Sequence, residues 1–218
     1  APFENGAVAA WLAQEWTAPG EQERGGPLDI LRQGIEMAEG SRTPSIGYTL
    51  GQVWRKWQDE VRRGFNPVAT PLATAERLIG FDEGLKRYSY GPPVSTSREL
   101  AALVDAGVVD LGLSADPEIT LAQEGWRLGS GARQEVAEVM IDAVLPSPDP
   151  SRVSAALVKD LLSSGLTQLV AKGFGLRTRA DATLIGPDGR EQTGLCLLGR
   201  LALGSVIAVD SLHDCFGD

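Results

Sequence analysis

Residues 183–200 read TLIGPDGREQTGLCLLGR, and this stretch decides the fold of the C-terminal part. Strand-favouring residues at 183–185 run into the turn sequence GPDG at 186–189, and the wholly apolar run 195–198 follows. The pattern predicts two strands joined by a tight turn, the second of them buried. At Gly199 the apolar run ends, which predicts a loop.

Beyond that loop, the sequence predicts a helix that begins near Val206 and runs to about His213. Ser205 is placed to cap it, since serine is a favoured residue at helix starts. On the other side of the deciding stretch, residues 176–179 predict a further strand and residues 153–162 predict an amphipathic helix.

The middle of the chain predicts a β-meander. Short strands are expected at 108–112, 118–122 and 125–129, with turn residues between them. A longer strand is expected over 135–145, where apolar residues recur up to Pro146.

The first half predicts helices, because apolar residues recur at helical spacing over 28–38, 49–63, 71–88 and 100–106. Trp54 and Trp57 form a core or interface stripe in this interpretation. The chain is therefore expected to be an α/β mixture. A helical lobe over residues 1–95 lies on the substrate side or at an interface, and residues 96–218 hold the meander and the C-terminal strands and helix.

Composition limits the functions that this chain can have. The 218 residues carry a net charge of −9, which disfavours a nucleic-acid partner. Apolar runs fall short of the roughly 20 residues that cross a bilayer, and no signal peptide is visible, so we expect a cytoplasmic protein without a membrane partner. With two cysteines and one histidine, a zinc site of the usual kind is not expected.

The order of these elements resembles the late part of the two-dinucleotide-binding flavoproteins, which use FAD with NAD(P). The resemblance rests on a helix, glycine and strand at 103–110, the meander, a return strand at 138–146, and the stretch 183–200. It covers roughly the last 130 residues and looks like a bacterial subgroup of FAD/NAD(P)-binding proteins. Two departures are Leu145-Pro146, where the family has small residues, and Arg200, where the family has an aspartate.

The resemblance implies a flavin-dependent oxidoreductase, with a monooxygenase as one form of it, that acts on a small-molecule substrate with FAD and NAD(P)H. The C-terminal strands and helix would belong to a Rossmann-like FAD domain. Gly199, Arg200, Gly204 and Ser205 would bind the cofactor. A glycine-rich dinucleotide-binding segment is absent from the sequence, so a second polypeptide with the N-terminal Rossmann segment is expected in a heteromeric complex, and both chain ends look cut.

Several interpretations stay open from the residues alone. The glycines could instead serve turns, and Arg200 could be solvated or ion-paired. His213 and Asp214 are weak candidates for a catalytic acid/base pair, or they could simply end a helix. A different class of function is a non-catalytic interaction or regulatory subunit of a larger complex, with tryptophans and an acidic surface at its interface.

Overall fold

The computed structural model describes residues 6–66, 71–207 and 209. They divide into two compact units. Unit 1 comprises Ala1–Gln52 with Lys86–Ala143, and unit 2 comprises Val53–Leu85 with Val144–Asp218. The division into residues 1–95 and 96–218 stays a prediction.

The described residues form six α-helices and two small antiparallel sheets, which confirms an α/β mixture with a helical N-terminal region and C-terminal strands. The helices are α1 (Ala7–Thr17), α2 (Pro27–Ala38), α3 (Ile46–Phe65), α4 (Leu72–Ser89), α5 (Val94–Asp105) and α6 (Ala156–Ser163). The strands are β1 (Glu118–Ala122), β2 (Gly125–Ser130), β3 (Arg133–Ala137), β4 (Thr183–Ile185) and β5 (Glu191–Cys196). None of the described helices is long and apolar enough to cross a membrane.

In unit 1, α2 packs against α5, and a side chain caps the start of α2. The Asp29 carboxylate accepts a hydrogen bond from the Gly26 backbone at 3.1 Å, and Pro27 occupies the first turn, where its missing N–H is tolerated. Arg32 of α2 forms an ion pair with Asp105 of α5 at 2.6 Å. The helix predicted over 28–38 matches α2 closely, whereas α5 begins at Val94, six residues before the predicted range 100–106.

The turn after α1 is held by a buried carboxylate. Glu15 is 1% exposed and accepts hydrogen bonds from the Gly20 backbone at 2.8 Å and from the Gln22 amide at 3.1 Å. Burial of Tyr88, with the Glu15 charge close by, raises the pKa of the Tyr88 hydroxyl well above its usual range. The hydroxyl therefore stays protonated at alkaline pH values at which an exposed tyrosine ionises.

The start of α3 approaches α4 closely at Gly51. A Cβ atom on Gly51 would lie 2.1 Å from the Tyr88 carbonyl oxygen, so only glycine fits. Trp11 of α1 contacts the Tyr88 ring edge-on, with ring centroids 5.1 Å apart. The helical lobe of unit 1 is therefore built around the Tyr88 region.

Gly51→Ala is expected to lower the free energy of unfolding by about 2–3 kcal/mol or more, because the added methyl overlaps backbone atoms that cannot rotate away. Gly64→Ala in the same helix is the matched control, since a Cβ there meets no atom within 4 Å. It should stabilise the protein by about 0.5–1 kcal/mol. Urea unfolding of both variants measures the difference, and equal stabilities would contradict the close approach.

The sheet of unit 1 has the antiparallel order β1-β2-β3, and the meander is confirmed at 118–122 and 125–129. The strand predicted at 108–112 is wrong. Val108 is 71% exposed, and the Asp110 side chain accepts a hydrogen bond from the Gly112 backbone at 2.7 Å, which makes a turn.

The long strand predicted over 135–145 is also wrong beyond Ala137, where β3 ends. Residues 138–146 have no regular structure. Apolar side chains in this segment are exposed, and Ile141 is 81% exposed. Hydrophobic content alone does not make a strand where the chain has no pairing partner.

In unit 2, Trp54 of α3 is buried and links to α4. Its indole nitrogen donates a hydrogen bond to the Asp82 carboxylate at 2.7 Å, and Gln58 donates to the same oxygen at 3.1 Å. The Trp54 ring also contacts Phe81 edge-on at 4.9 Å. Trp57 is 63% exposed, so the predicted tryptophan stripe is core at one position only.

Trp54→Phe is expected to lower the free energy of unfolding by about 1–3 kcal/mol, because the buried Asp82 carboxylate loses a hydrogen-bond donor. Trp57→Phe is the matched control and should change stability by less than about 0.5 kcal/mol, since that side chain is exposed. Thermal unfolding followed by circular dichroism compares the two. A larger loss for the Trp57 variant would refute this account.

Unit 2 has two apolar clusters. One joins Phe65, Ala75 and Ile79 of α3 and α4 to Leu203 and Ile207 near the C-terminus. The other packs the α6 side chain of Val158 on Leu176 and Leu184, beside the β4-β5 pair. The first cluster brings the C-terminal segment onto the helices.

The β4-β5 pair and its GPDG turn follow the sequence prediction, but two details differ. The second strand ends at Cys196, and Leu198 is 81% exposed, so the apolar run is not a buried strand. Gly204 and Ser205 form a turn with a bridge between Leu203 and Val206, so the structure places no helix start at Ser205. The named strands pair only in antiparallel, and the Rossmann-like assignment stays a prediction.

Candidate functional site

Unit 2 contains a cleft of about 610 Å³ that is the candidate site. Its walls come from the end of α3, the start of α4, residues 177–181 and the turn at 204–205. Apolar side chains line part of it; they are Phe65, Leu72, Ala75, Val170 and Ile185.

One wall is a segment with backbone hydrogen bonds on both sides. The Arg177 N–H donates to the Gln168 carbonyl at 2.8 Å, and the Arg177 carbonyl accepts from Ile185 at 2.9 Å. Gly175 starts this wall by packing against another chain segment, since a Cβ there would lie 2.0 Å from the Leu201 carbonyl oxygen. The close packing holds 175–178 in place.

Side chains connect this wall to the 204–205 turn and to α3. The Ser205 hydroxyl oxygen accepts a hydrogen bond from the Thr178 backbone N–H at 2.8 Å. The Asn66 side chain accepts from the Ile207 N–H at 2.9 Å. Hydrogen bonds between backbone N–H groups and the Ser205 and Asn66 side chains therefore fix the walls of the cleft.

Charged and polar side chains cluster on the 177–181 wall. Arg177 and Arg179 are exposed beside the buried Thr178, and Arg179 forms an ion pair with Glu191. Asp181 accepts a hydrogen bond from the Thr183 N–H at 3.0 Å, and this bond is the main reason that its pKa lies below the usual value. Asp181 is therefore ionised at neutral pH.

The structure brings two of the four predicted cofactor residues, Gly204 and Ser205, into the cleft lining. Gly204 has a left-handed backbone with φ +112°, and a Cβ there would lie 3.1 Å from Val170. The requirement for glycine at this position thus comes from backbone conformation and packing. A bulky residue at 204 would disturb the fold itself.

Gly199 and Arg200 do not line the cleft. Arg200 is 14% exposed and pairs with Glu83, with nitrogen–oxygen distances of 3.3 and 3.4 Å, while its Nε donates to the Pro146 carbonyl at 3.3 Å. The ion-paired interpretation of Arg200 describes this geometry. Cofactor binding by Gly199 or Arg200 stays a prediction.

The acid/base candidates His213 and Asp214 lie outside the described residues. Within the described ranges, no group of three or more histidine, cysteine, aspartate or glutamate residues could hold a metal ion.

Sequence reasoning missed Asn66, Arg177, Thr178 and Asp181 as site residues. The signal lay in 176–179, where buried Leu176 and Thr178 alternate with two exposed arginines. Alternation identifies a strand-like segment with a charged face, but it does not show that this face lines a cleft. Asn66 lies 111 positions away from Arg177 in the chain, so only the fold brings them to one site.

Ser205→Ala is expected to lower the free energy of unfolding by about 1–3 kcal/mol, because the Thr178 N–H loses its acceptor. Ser154→Ala, at an exposed position in the same unit, should change it by less than about 0.5 kcal/mol. Chemical denaturation provides the comparison. Hydrogen exchange adds a local test, since the Thr178 amide should exchange faster in the Ser205 variant alone.

Two curated proteins are similar to this chain. One is named L-aspartate N-monooxygenase (nitrosuccinate-forming) from Streptomyces cremeus and is 37% identical over 144 residues, which cover 63% of this chain and 22% of that protein. A protein of the same name from Streptomyces davaonensis is 38% identical over 81 residues, covering 35% of this chain and 12% of that protein. The matched part thus spans about a fifth or less of either relative's length. No protein-family model matches the chain.

Proposed function

We propose that this chain is part of a flavin-dependent monooxygenase that uses FAD and NAD(P)H to oxygenate the amine of an amino acid. The observation that carries the proposal is the 37% identity over 144 residues to a protein named L-aspartate N-monooxygenase. The choice of FAD and NAD(P)H is part of the proposal and rests on the resemblance of the meander and of residues 183–200, since the strands expected at 108–112 and 138–146 are not formed. A second polypeptide, or a further segment, supplies the N-terminal dinucleotide-binding part.

The unit 2 cleft supports the proposal because its lining suits the edge of a planar ring system. Its volume lies within the range of about 300–1,000 Å³ that is usual for ligand pockets, which combine apolar walls with a few polar groups. Leu72 and Ile185 offer apolar contacts, and Asn66 and Ser205 add polar groups to the lining while they also hold the Ile207 and Thr178 backbones. We assign the flavin side of the cleft to the turn at Gly204 and Ser205.

The flavin supplies electron transfer from NAD(P)H and the activation of dioxygen. Hydroxylation consumes one NAD(P)H and one dioxygen, places one oxygen atom on the substrate nitrogen and releases the other as water. The residues of this chain would orient the amine and limit the entry of water. Phe65 and Ala75, which are buried at the cleft, suit the second task.

The proposal is tested by purifying the tagged chain from its native source together with any polypeptide and cofactor that remain bound to it. We expect a yellow complex with flavin absorption bands, an intact mass larger than 23.1 kDa, and NAD(P)H oxidation that L-aspartate or another amino acid couples to N-oxygenated product. A colourless complex without amine-dependent NAD(P)H oxidation would overturn it.

A colourless complex would favour the alternative function, a non-catalytic interaction or regulatory subunit. One observation supports this alternative: apolar side chains of unit 1, such as Leu121 and Val139, are largely exposed and could lie in an interface. The two functions differ in flavin content, which the absorption spectrum of the same preparation reports.

Ala180→Trp provides a site-directed test in the complex. Ala180 is exposed and lines the cleft, so a large ring there should fill the space and lower the amount of flavin that co-purifies with the protein. Ala132→Trp, in the exposed β2-β3 turn of unit 1, is the control and should keep its flavin. Flavin released by denaturation is measured per mole of protein. Full occupancy in the Ala180 variant would place the flavin elsewhere.

A further inference from the structure

Arg177 differs from the other arginines near the cleft because the described residues offer it no ion-pair partner. Arg179 pairs with Glu191, and Arg200 pairs with Glu83. Arg177 is exposed on the cleft wall, and its backbone is fixed by two hydrogen bonds. An unpaired guanidinium on a fixed backbone can bind a carboxylate through two parallel hydrogen bonds.

The charges around Arg177 favour a carboxylate over a phosphate. Asp181 lines the same cleft and is a carboxylate at neutral pH, and the Thr183 hydrogen bond stabilises this charged form. Glu191 neutralises Arg179, so this wall carries no excess of positive charge. A doubly charged phosphate would face a nearby carboxylate with one available cation, whereas a zwitterion would match both signs.

A buried hydroxyl lies on the same wall. Thr178 is 7% exposed, and its Oγ1 has no hydrogen-bond partner among the residues that the structure describes. Buried polar groups in folded proteins are nearly all hydrogen-bonded. Successive side chains of an extended segment point to opposite sides, so the Thr178 hydroxyl lies on the buried side of the wall and the two arginines lie on the exposed side. The assignment therefore rests on Arg177 and Asp181.

We propose that Arg177 binds the carboxylate of a small amino acid in the unit 2 cleft, with Asp181 facing the ammonium group. The amino-acid class rests on the proposed function. The assignment of Arg177 rests on the cleft and its charges, and it holds whether or not a flavin binds nearby. Arg177 is thereby the residue that selects the ligand by its acid group.

Titration calorimetry of the 218-residue chain tests the assignment, with L-aspartate and inorganic phosphate as separate probes. Arg177→Gln should weaken L-aspartate binding by about tenfold to a hundredfold, the range for loss of hydrogen bonds to a charged group. Arg177→Lys keeps the charge without the planar fork, and its affinity for L-aspartate should lie between those of the unmodified chain and Arg177→Gln. Arg190→Gln is the matched control, since Arg190 is exposed in the β4-β5 turn outside the cleft lining.

Asp181→Asn separates the two halves of the ligand. It should weaken L-aspartate binding and leave succinate binding unchanged or tighter, because succinate has no ammonium group. Circular dichroism and the thermal midpoint of each variant show whether it folds. The backbone hydrogen bonds of Arg177 do not involve its side chain, so Arg177→Gln should keep the fold.

Three results would overturn the proposal: absence of L-aspartate binding to the unmodified chain, equal affinity in folded Arg177→Gln, or tighter binding of phosphate than of L-aspartate. The last result would assign the cleft to a dinucleotide phosphate. These outcomes differ from failure of the proposed function. A colourless complex that binds L-aspartate through Arg177 would support this assignment and contradict the proposed flavin enzyme. A yellow complex whose L-aspartate affinity does not depend on Arg177 would support the flavin enzyme and contradict this assignment.

Discussion

The close approach of Gly175 to the 201–203 backbone is the constraint on which unit 2 depends. Gly175 donates to the Leu203 carbonyl at 2.8 Å, and Leu176 donates to the Leu201 carbonyl at 2.7 Å. Leu176 and Leu203 then lie in different apolar clusters. Because both cleft walls, 177–181 and 204–205, continue directly from these residues, their spacing is set by backbone contact.

Three arginines near the site have different roles because of the carboxylates around them. Glu83 and Glu191 hold Arg200 and Arg179, while Arg177 faces the cleft. The residue type alone could not separate these roles. Arg200, which the sequence marked as functional, holds loops together through its ion pair. Arg177, in the strand-like segment, is the arginine that is available for a ligand.

Helices α2, α3 and α4 could be predicted from the sequence, because apolar residues recur at helical spacing over 28–38, 49–63 and 71–88, whereas α1 was not predicted. Strands were predicted less well, since a strand needs a partner that local pattern does not reveal. Val108 and Ile141 are apolar, yet both are exposed and neither belongs to a sheet.

The site shows the same limit. The turn at Gly204 and Ser205 could be located, because glycine and serine mark turns and helix starts. Its role differed from the expected helix cap, since the Ser205 hydroxyl bonds to Thr178, 27 positions earlier. Contacts of this range, like that of Asn66 with Ile207, are products of tertiary packing and leave no local signal.

The exposed apolar segment 138–145 has a consequence for handling the protein. The segment has no regular structure, and it exposes the apolar side chains of Val139, Ile141, Val144 and Leu145 to water. Exposed apolar segments of this kind promote self-association. The net charge of −9 opposes self-association at low ionic strength, and salt screens that repulsion. Colloidal behaviour of the isolated chain should therefore depend on ionic strength more than its secondary structure does.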